Sequence, residues 1–180
     1  MKKKITILTL LTLIALVSAC SHKNTDMTNQ TQSNNQVVDT TTGPSWVTDD
    51  QSLDTAVKDS WIVIITKDLK TDRELVFEGG LKKGDEVVRL LLTLYKQDEN
   101  RVKTASYTLT APKATFKQDG SRIKGGTFKG DVYVECNNFE LVDATVDGNI
   151  YFKTQEAKDS FKLDNTSKVT GNVEVKKNHQ

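Results

Sequence analysis

Three segments near the C-terminal end of the chain repeat one short pattern: apolar, any, Gly, Asp or Asn, apolar, any, apolar. They are residues 128–134, 146–152 and 169–175. The glycines of the pattern, Gly130, Gly148 and Gly171, are 18 and 23 residues apart. Repetition at such a period is typical of architectures in which one small unit stacks on the next. This repeat constrains the fold more than any other feature of the sequence.

The apolar residues between these glycines align in three columns from residue 112 onward. The columns are Ala114/Phe116, Val132/Val134, Ile150/Phe152 and Val173/Val175; Ile123, Phe139/Leu141 and Phe161/Leu163; and Phe128, Ala144/Val146 and Val169. Three columns predict three short strands per repeat, with inward residues stacked ~4.8 Å apart. We therefore expect an all-β fold in which residues 112–180 form a small three-sided right-handed parallel β-helix. An antiparallel meander is the alternative, because strands of this length also suit hairpins.

Residues 49–111 are expected to lead into this domain. A capping residue and apolar Leu53, Ala56 and Val57 at helical spacing predict a short helix. Trp46 is expected to pack onto the domain. Two longer β-like runs, 86–97 and 101–111, are joined by the polar residues 98–100 and predict an N-terminal β-hairpin.

The first twenty residues predict export. Three lysines precede an apolar run that is too short for a typical spanning helix, which needs about 20 residues. The end of this segment, residues 17–20, resembles the lipobox of bacterial lipoproteins, which implies that Cys20 receives fatty acyl chains such as palmitate. Residues 1–20 would then be a lipoprotein signal peptide. The polar residues 21–48 cannot bury enough apolar surface to fold, so we expect a flexible linker.

The repeats of residues 112–176 resemble those of bactofilins, which are polymer-forming cytoskeletal proteins. The architecture is also similar to pectate-lyase-like β-helices. Both resemblances concern a packing pattern, and they imply a fold rather than a reaction.

Composition and motifs disfavour several functions. Residues 21–180 carry 22 basic and 24 acidic residues, a net charge of −2, which offers no basic footprint for nucleic acid. Cys136 is expected to be a small buried residue, because the only histidines are His22 and His179 and neither supplies a nearby base. We find no pattern for a catalytic residue, a metal site or a cofactor, and we expect no enzyme.

One outer face offers a candidate ligand surface. Its residues occupy equivalent outward positions in neighbouring repeats: Asp131, Tyr133, Glu135, Asn149, Tyr151 and Lys153. The two tyrosines either bind sugar rings or only brace neighbouring strands. We therefore expect a lipid-anchored protein of the cell envelope, facing outside the cytoplasm, that acts as a scaffold or spacer. The alternative is a carbohydrate-binding module. Its expected partners are the membrane, cell-wall polysaccharide or an envelope protein, and the domain is expected to be mostly monomeric.

Overall fold

The computed structural model describes residues 43–176, so Cys20 and most of the expected linker lie outside the described residues. The described chain is mostly β, with parallel sheets and two helices. In chain order the elements are β1 Ser45–Val47, α1 Asp50–Asp59, β2 Ile62–Ile65, β3 Leu69–Lys70, β4 Leu75–Phe77, β5 Lys82–Lys83, β6 Glu86–Val87, β7 Leu91–Thr93, β8 Tyr95–Gln97, β9 Lys103–Ser106, β10 Thr108–Phe116, β11 Arg122–Lys124, β12 Thr127–Val134, β13 Glu140–Val142, β14 Thr145–Asp147, β15 Ile150–Phe152, α2 Gln155–Asp159, β16 Lys162–Leu163, β17 Lys168–Val169 and β18 Val173–Val175.

Two parallel sheets carry most of these strands. The first has the order β1-β2-β7-β11-β13-β16. The second has the order β17-β14-β12-β10-β3, and β4 pairs with β10 while β15 pairs with β12 and β18. The long strands β10 and β12 pair with each other and each has two further partners. The first half of β10 pairs with β3 and its second half with β4. The first half of β12 pairs with β14 and its second half with β15.

The predicted columns are confirmed by the strand register. Val132 pairs with Ile150, and Ile150 pairs with Val173. The other two columns pair in the same way, at Ile123, Leu141 and Leu163 and at Phe128, Val146 and Val169. These ladders are parallel, so the antiparallel meander is wrong for this region. Most of the column residues are fully buried and belong to one apolar core.

The repeat glycines allow neighbouring repeats to approach closely. A Cβ added to Gly148 would lie 2.1 Å from the carbonyl oxygen of Gly130, and one added to Gly130 would lie 1.9 Å from the carbonyl oxygen of Ala111. Such contacts are far below van der Waals distance, so only glycine fits. The close approach of the backbone of one repeat to the next is thus a steric reason for glycine at these two positions.

The helix α1 forms as its sequence predicts. Asp49 accepts a hydrogen bond from the Ser52 backbone N–H at 2.7 Å, and the Ser52 hydroxyl oxygen accepts one from the Asp49 backbone N–H at 3.1 Å. This reciprocal pair is a capping box. The buried side chains of Leu53, Ala56 and Val57 join the common core, so the helix covers apolar residues at the first repeat.

The hairpin is also present, but it is shorter than predicted. The strands β8 and β9 are antiparallel. However, Leu91–Thr93 and Thr108–Phe116 lie in the parallel sheets rather than in the hairpin. The reason is burial: Leu92 and Leu109 face the common core. Parallel pairing therefore extends upstream of residue 112, and the expected boundary at 111/112 falls inside β10.

Two further differences concern local packing. A second, unexpected antiparallel pair is formed by β5 and β6. Trp46 belongs to the domain through β1, which pairs with β2, but the residue is 68% exposed. Residues 45–47 of the expected linker 21–48 are therefore part of the first sheet. Within residues 43–176, neither helix is long and apolar enough to cross a membrane.

Candidate functional site

The six residues of the predicted ligand face come together in three cross-strand pairs, which we call the tyrosine strip. Tyr133 pairs with Tyr151, and their ring centres are 5.0 Å apart with planes tilted by 43°. The Asn149 side-chain amide donates to the Asp131 carboxylate at 2.9 Å, and the Lys153 ammonium lies 3.0 Å from the Glu135 carboxylate. The sequence thus predicted the neighbours in this strip correctly.

Lysines cover the tyrosine rings of the strip. The Lys113 ammonium is 5.2 Å from the centre of the Tyr133 ring, and the Lys176 ammonium is 4.6 Å from the same centre. Lys176 also lies 5.9 Å from the Tyr151 ring centre and contacts the Tyr133 hydroxyl at 3.2 Å. Burial, with a contribution from Asp131, raises the pKa of Tyr151. The rings are therefore engaged in cation–π contacts that connect several repeats.

A second ladder on the first sheet is centred on Glu140. Its carboxylate accepts a hydrogen bond from the Arg122 Nε at 2.7 Å and lies 3.3 Å from the Lys162 ammonium. Arg89 approaches the same carboxylate at 3.7 Å. Burial alone raises the pKa of Glu140, but the Arg122 and Lys162 contacts prevail and hold it below its usual range. These charges connect the adjacent strands β11, β13 and β16 on the outer face of the first sheet.

Cys136 is buried, as predicted. Burial, helped by the nearby Asp119 carboxylate, raises the pKa of its thiol to about 12. The thiolate is the reactive form, so this cysteine is a poor nucleophile at neutral pH. Among residues 43–176, no three His, Cys, Asp or Glu side chains form a group suited to a metal ion.

A cleft lies elsewhere, where the β8–β9 hairpin meets the outer face of the first sheet. We call it the aromatic cleft. It has a volume of about 490 Å³, and its lining residues are Trp46, Ile64, Ile65, Thr66, Leu91, Thr93, Tyr95, Lys96, Gln97 and Tyr107. This cleft was not predicted from the sequence. The sequence does contain a signal for it: the two runs of apolar residues at 61–65 and 90–92 leave apolar side chains on both faces of β2 and β7.

No family model matches this chain, and no match was found among the curated proteins or the solved structures.

Proposed function

We propose that residues 45–176 form a three-sided right-handed parallel β-helix. The support is the repeated order of three ladders with matched register, together with the near-universal right-handedness of parallel crossover connections. The five residues by which the last repeat is longer fall outside the strands, and α2 occupies most of the additional length. Insertions at corners, which face solvent, are tolerated in such a fold.

We further propose that the chain is an exported lipoprotein, acylated at Cys20 and anchored to a membrane outside the cytoplasm. The support is the basic start, the apolar run and the small residues before Cys20. Two or more acyl chains give a lasting anchor, since each buried methylene contributes about 0.8 kcal/mol.

The proposed function is that of a non-catalytic scaffold or spacer at the cell envelope. The supporting observation is that polar side chains on the outer faces of the sheets contact one another between neighbouring repeats. The tyrosine strip and the Glu140 ladder each connect neighbouring repeats through hydrogen bonds, ion pairs or ring contacts. Such pairs stiffen a sheet and leave few unpaired polar groups for a substrate.

Anchoring is tested with the two cysteines of the chain. Cells are fed a clickable palmitate analogue, and the label on the full chain is compared with that on Cys20→Ala and Cys136→Ala. We expect the label and membrane retention to be lost in Cys20→Ala and kept in Cys136→Ala. Label that persists on Cys20→Ala would contradict the anchor.

The scaffold role is tested by complementing a deletion strain and measuring the sensitivity of its envelope to detergent. We expect rescue by the full chain and by the matched Cys136→Ala variant, but not by Cys20→Ala. A deletion that leaves this sensitivity unchanged would contradict the structural role. Sedimentation of the protein tests the expected monomer.

The alternative, a carbohydrate-binding module that acts through the tyrosine strip, receives less support. Sugar rings stack on free aromatic faces, whereas Lys113 and Lys176 lie over these rings. The strip is better explained as a brace between strands. If the strip does bind glycans, titration of cell-wall polysaccharide will show binding that disappears in the Tyr133→Ala, Tyr151→Ala variant.

A further inference from the structure

The outer face of the first sheet changes character along its length. From β11 onward its outward residues include the charged Arg122, Lys124 and Glu140, as expected for a solvated face. On β1, β2 and β7 the equivalent positions hold large apolar side chains: Trp46, Ile62, Ile64 and Leu91. Grouped apolar side chains on an otherwise polar surface are a common feature of binding sites.

The hairpin turns this patch into a cleft. Thr93 points outward next to Ile64 but is only 8% exposed, because this corner of the sheet is covered. Tyr95 lies against the backbone at Gly125, where an added Cβ would lie 2.4 Å from the tyrosine ring. A glycine there lets the ring sit close to the sheet. Tyr95 and Tyr107 thus contribute aromatic side chains to the lining, and the exposed indole of Trp46 completes it.

The polar groups of the cleft indicate the charge of its ligand. Among the described residues that line it, Lys96 carries a positive charge and no carboxylate is present. The Lys124 ammonium lies 5.5 Å from the centre of the Tyr95 ring. Within the described residues, neither lysine forms an ion pair, in contrast to the lysines that alternate with acids along the tyrosine strip. The cleft therefore suits a ligand that carries negative charge.

We propose that the aromatic cleft binds an acidic glycan. The exposed indole of Trp46 offers a flat aromatic face for the C–H groups of a sugar ring, and the exposed Lys96 ammonium and Gln97 amide offer hydrogen-bonding groups for a carboxylate and hydroxyls. The volume falls within the range of about 300–1,000 Å³ that is typical of ligand sites. This activity goes beyond the proposed scaffold role, and neither depends on the other.

The test uses isothermal titration of the full chain, purified in detergent, with two oligosaccharides of equal length. One is a hyaluronan hexamer, in which glucuronate alternates with N-acetylglucosamine, and the other is the neutral N-acetylglucosamine hexamer. We expect saturable binding of the acidic hexamer, weaker binding of the neutral one, and weaker binding of the acidic hexamer at higher salt. Equal affinity for the two hexamers would overturn the assignment of an acidic ligand.

Variants locate the site. Trp46→Ala removes an exposed side chain and should leave the thermal unfolding midpoint unchanged. It should nevertheless lower the affinity for the acidic hexamer about tenfold. Lys96→Ala should also lower the affinity for the acidic hexamer. Tyr151→Ala, on the tyrosine strip, is the matched aromatic control and should leave this affinity unchanged. No saturable binding of the acidic hexamer, or binding that survives Trp46→Ala, would overturn the proposal. Either result would leave the anchor and the scaffold role standing.

Discussion

Asn149 connects three successive repeats through one side chain, and its replacement by aspartate should be costly. Its amide nitrogen donates to the Asp131 carboxylate at 2.9 Å, and its amide oxygen accepts a hydrogen bond from the Asn172 backbone N–H at 2.9 Å. In Asn149→Asp the first contact becomes a contact between two carboxylates. The lost bond to a charged group costs about 1.5–3 kcal/mol, and repulsion adds to it, so we expect the variant to lose about 2–4 kcal/mol at neutral pH.

The pH dependence distinguishes this explanation from a general loss of packing. Two adjacent carboxylates raise the pKa of the pair in the folded state above its unfolded value. The free energy of unfolding of Asn149→Asp, relative to the wild type, therefore falls as the pH rises through the raised pKa. It is recovered below the unfolded-state pKa of about 4. Urea unfolding of both proteins at neutral pH and at about pH 3.5 measures the difference.

A matched control is available one repeat later. Asn172 occupies the same position of the pattern, but its side chain is exposed. We expect Asn172→Asp to change the free energy of unfolding by less than about 0.5 kcal/mol. Equal losses for the two variants, or a loss in Asn149→Asp that persists at low pH, would refute the reasoning.

Three further predictions concern buried or closely packed positions. Ile150→Asp, which places a charge at a fully buried position, should abolish the cooperative thermal transition; a normal transition would contradict the register. Gly148→Ala should destabilise the protein by more than about 2 kcal/mol in urea unfolding, because its Cβ meets a backbone carbonyl of the preceding repeat. Gly43→Ala, with no atom within 4 Å of the new Cβ, is its control. Cys136, whose pKa is about 12, should resist iodoacetamide at pH 8 until the protein unfolds, and rapid labelling of the folded protein would count against its burial.

The repeats after residue 112 could be predicted because their period is nearly undisturbed there. Consecutive column residues such as Val132 and Ile150 are 18 residues apart, and this spacing fixes the pairing of every neighbour on the same strand. Upstream, the hairpins β5–β6 and β8–β9 interrupt the period. The equivalent strands β7 and β11 begin 31 residues apart, so no alignment of columns was visible.

Only those features of the candidate site that follow from the strand register could be predicted from the sequence. The pairing of Tyr133 with Tyr151 follows directly from the columns. The lysines over their rings do not, because Lys113 and Lys176 are long side chains whose direction is decided by tertiary contacts. The aromatic cleft depends on how a hairpin lies against a sheet, which a sequence pattern does not contain.

The aromatic cleft lies close in sequence to the proposed anchor at Cys20. Trp46 stands 26 residues after Cys20 and belongs to β1, the first strand of the first sheet. If the part of the expected linker 21–48 that precedes β1 is flexible, it spans about 30 Å root-mean-square between Cys20 and the first strand. Only glycans close to the membrane surface are then within reach, and the tether raises their effective concentration at the cleft. A shortened tether should therefore change capture of surface glycans in cells while leaving the affinity of the purified protein for the acidic hexamer unchanged. A parallel loss of both would mean that the shortened chain is misfolded, and no change in either would contradict this coupling.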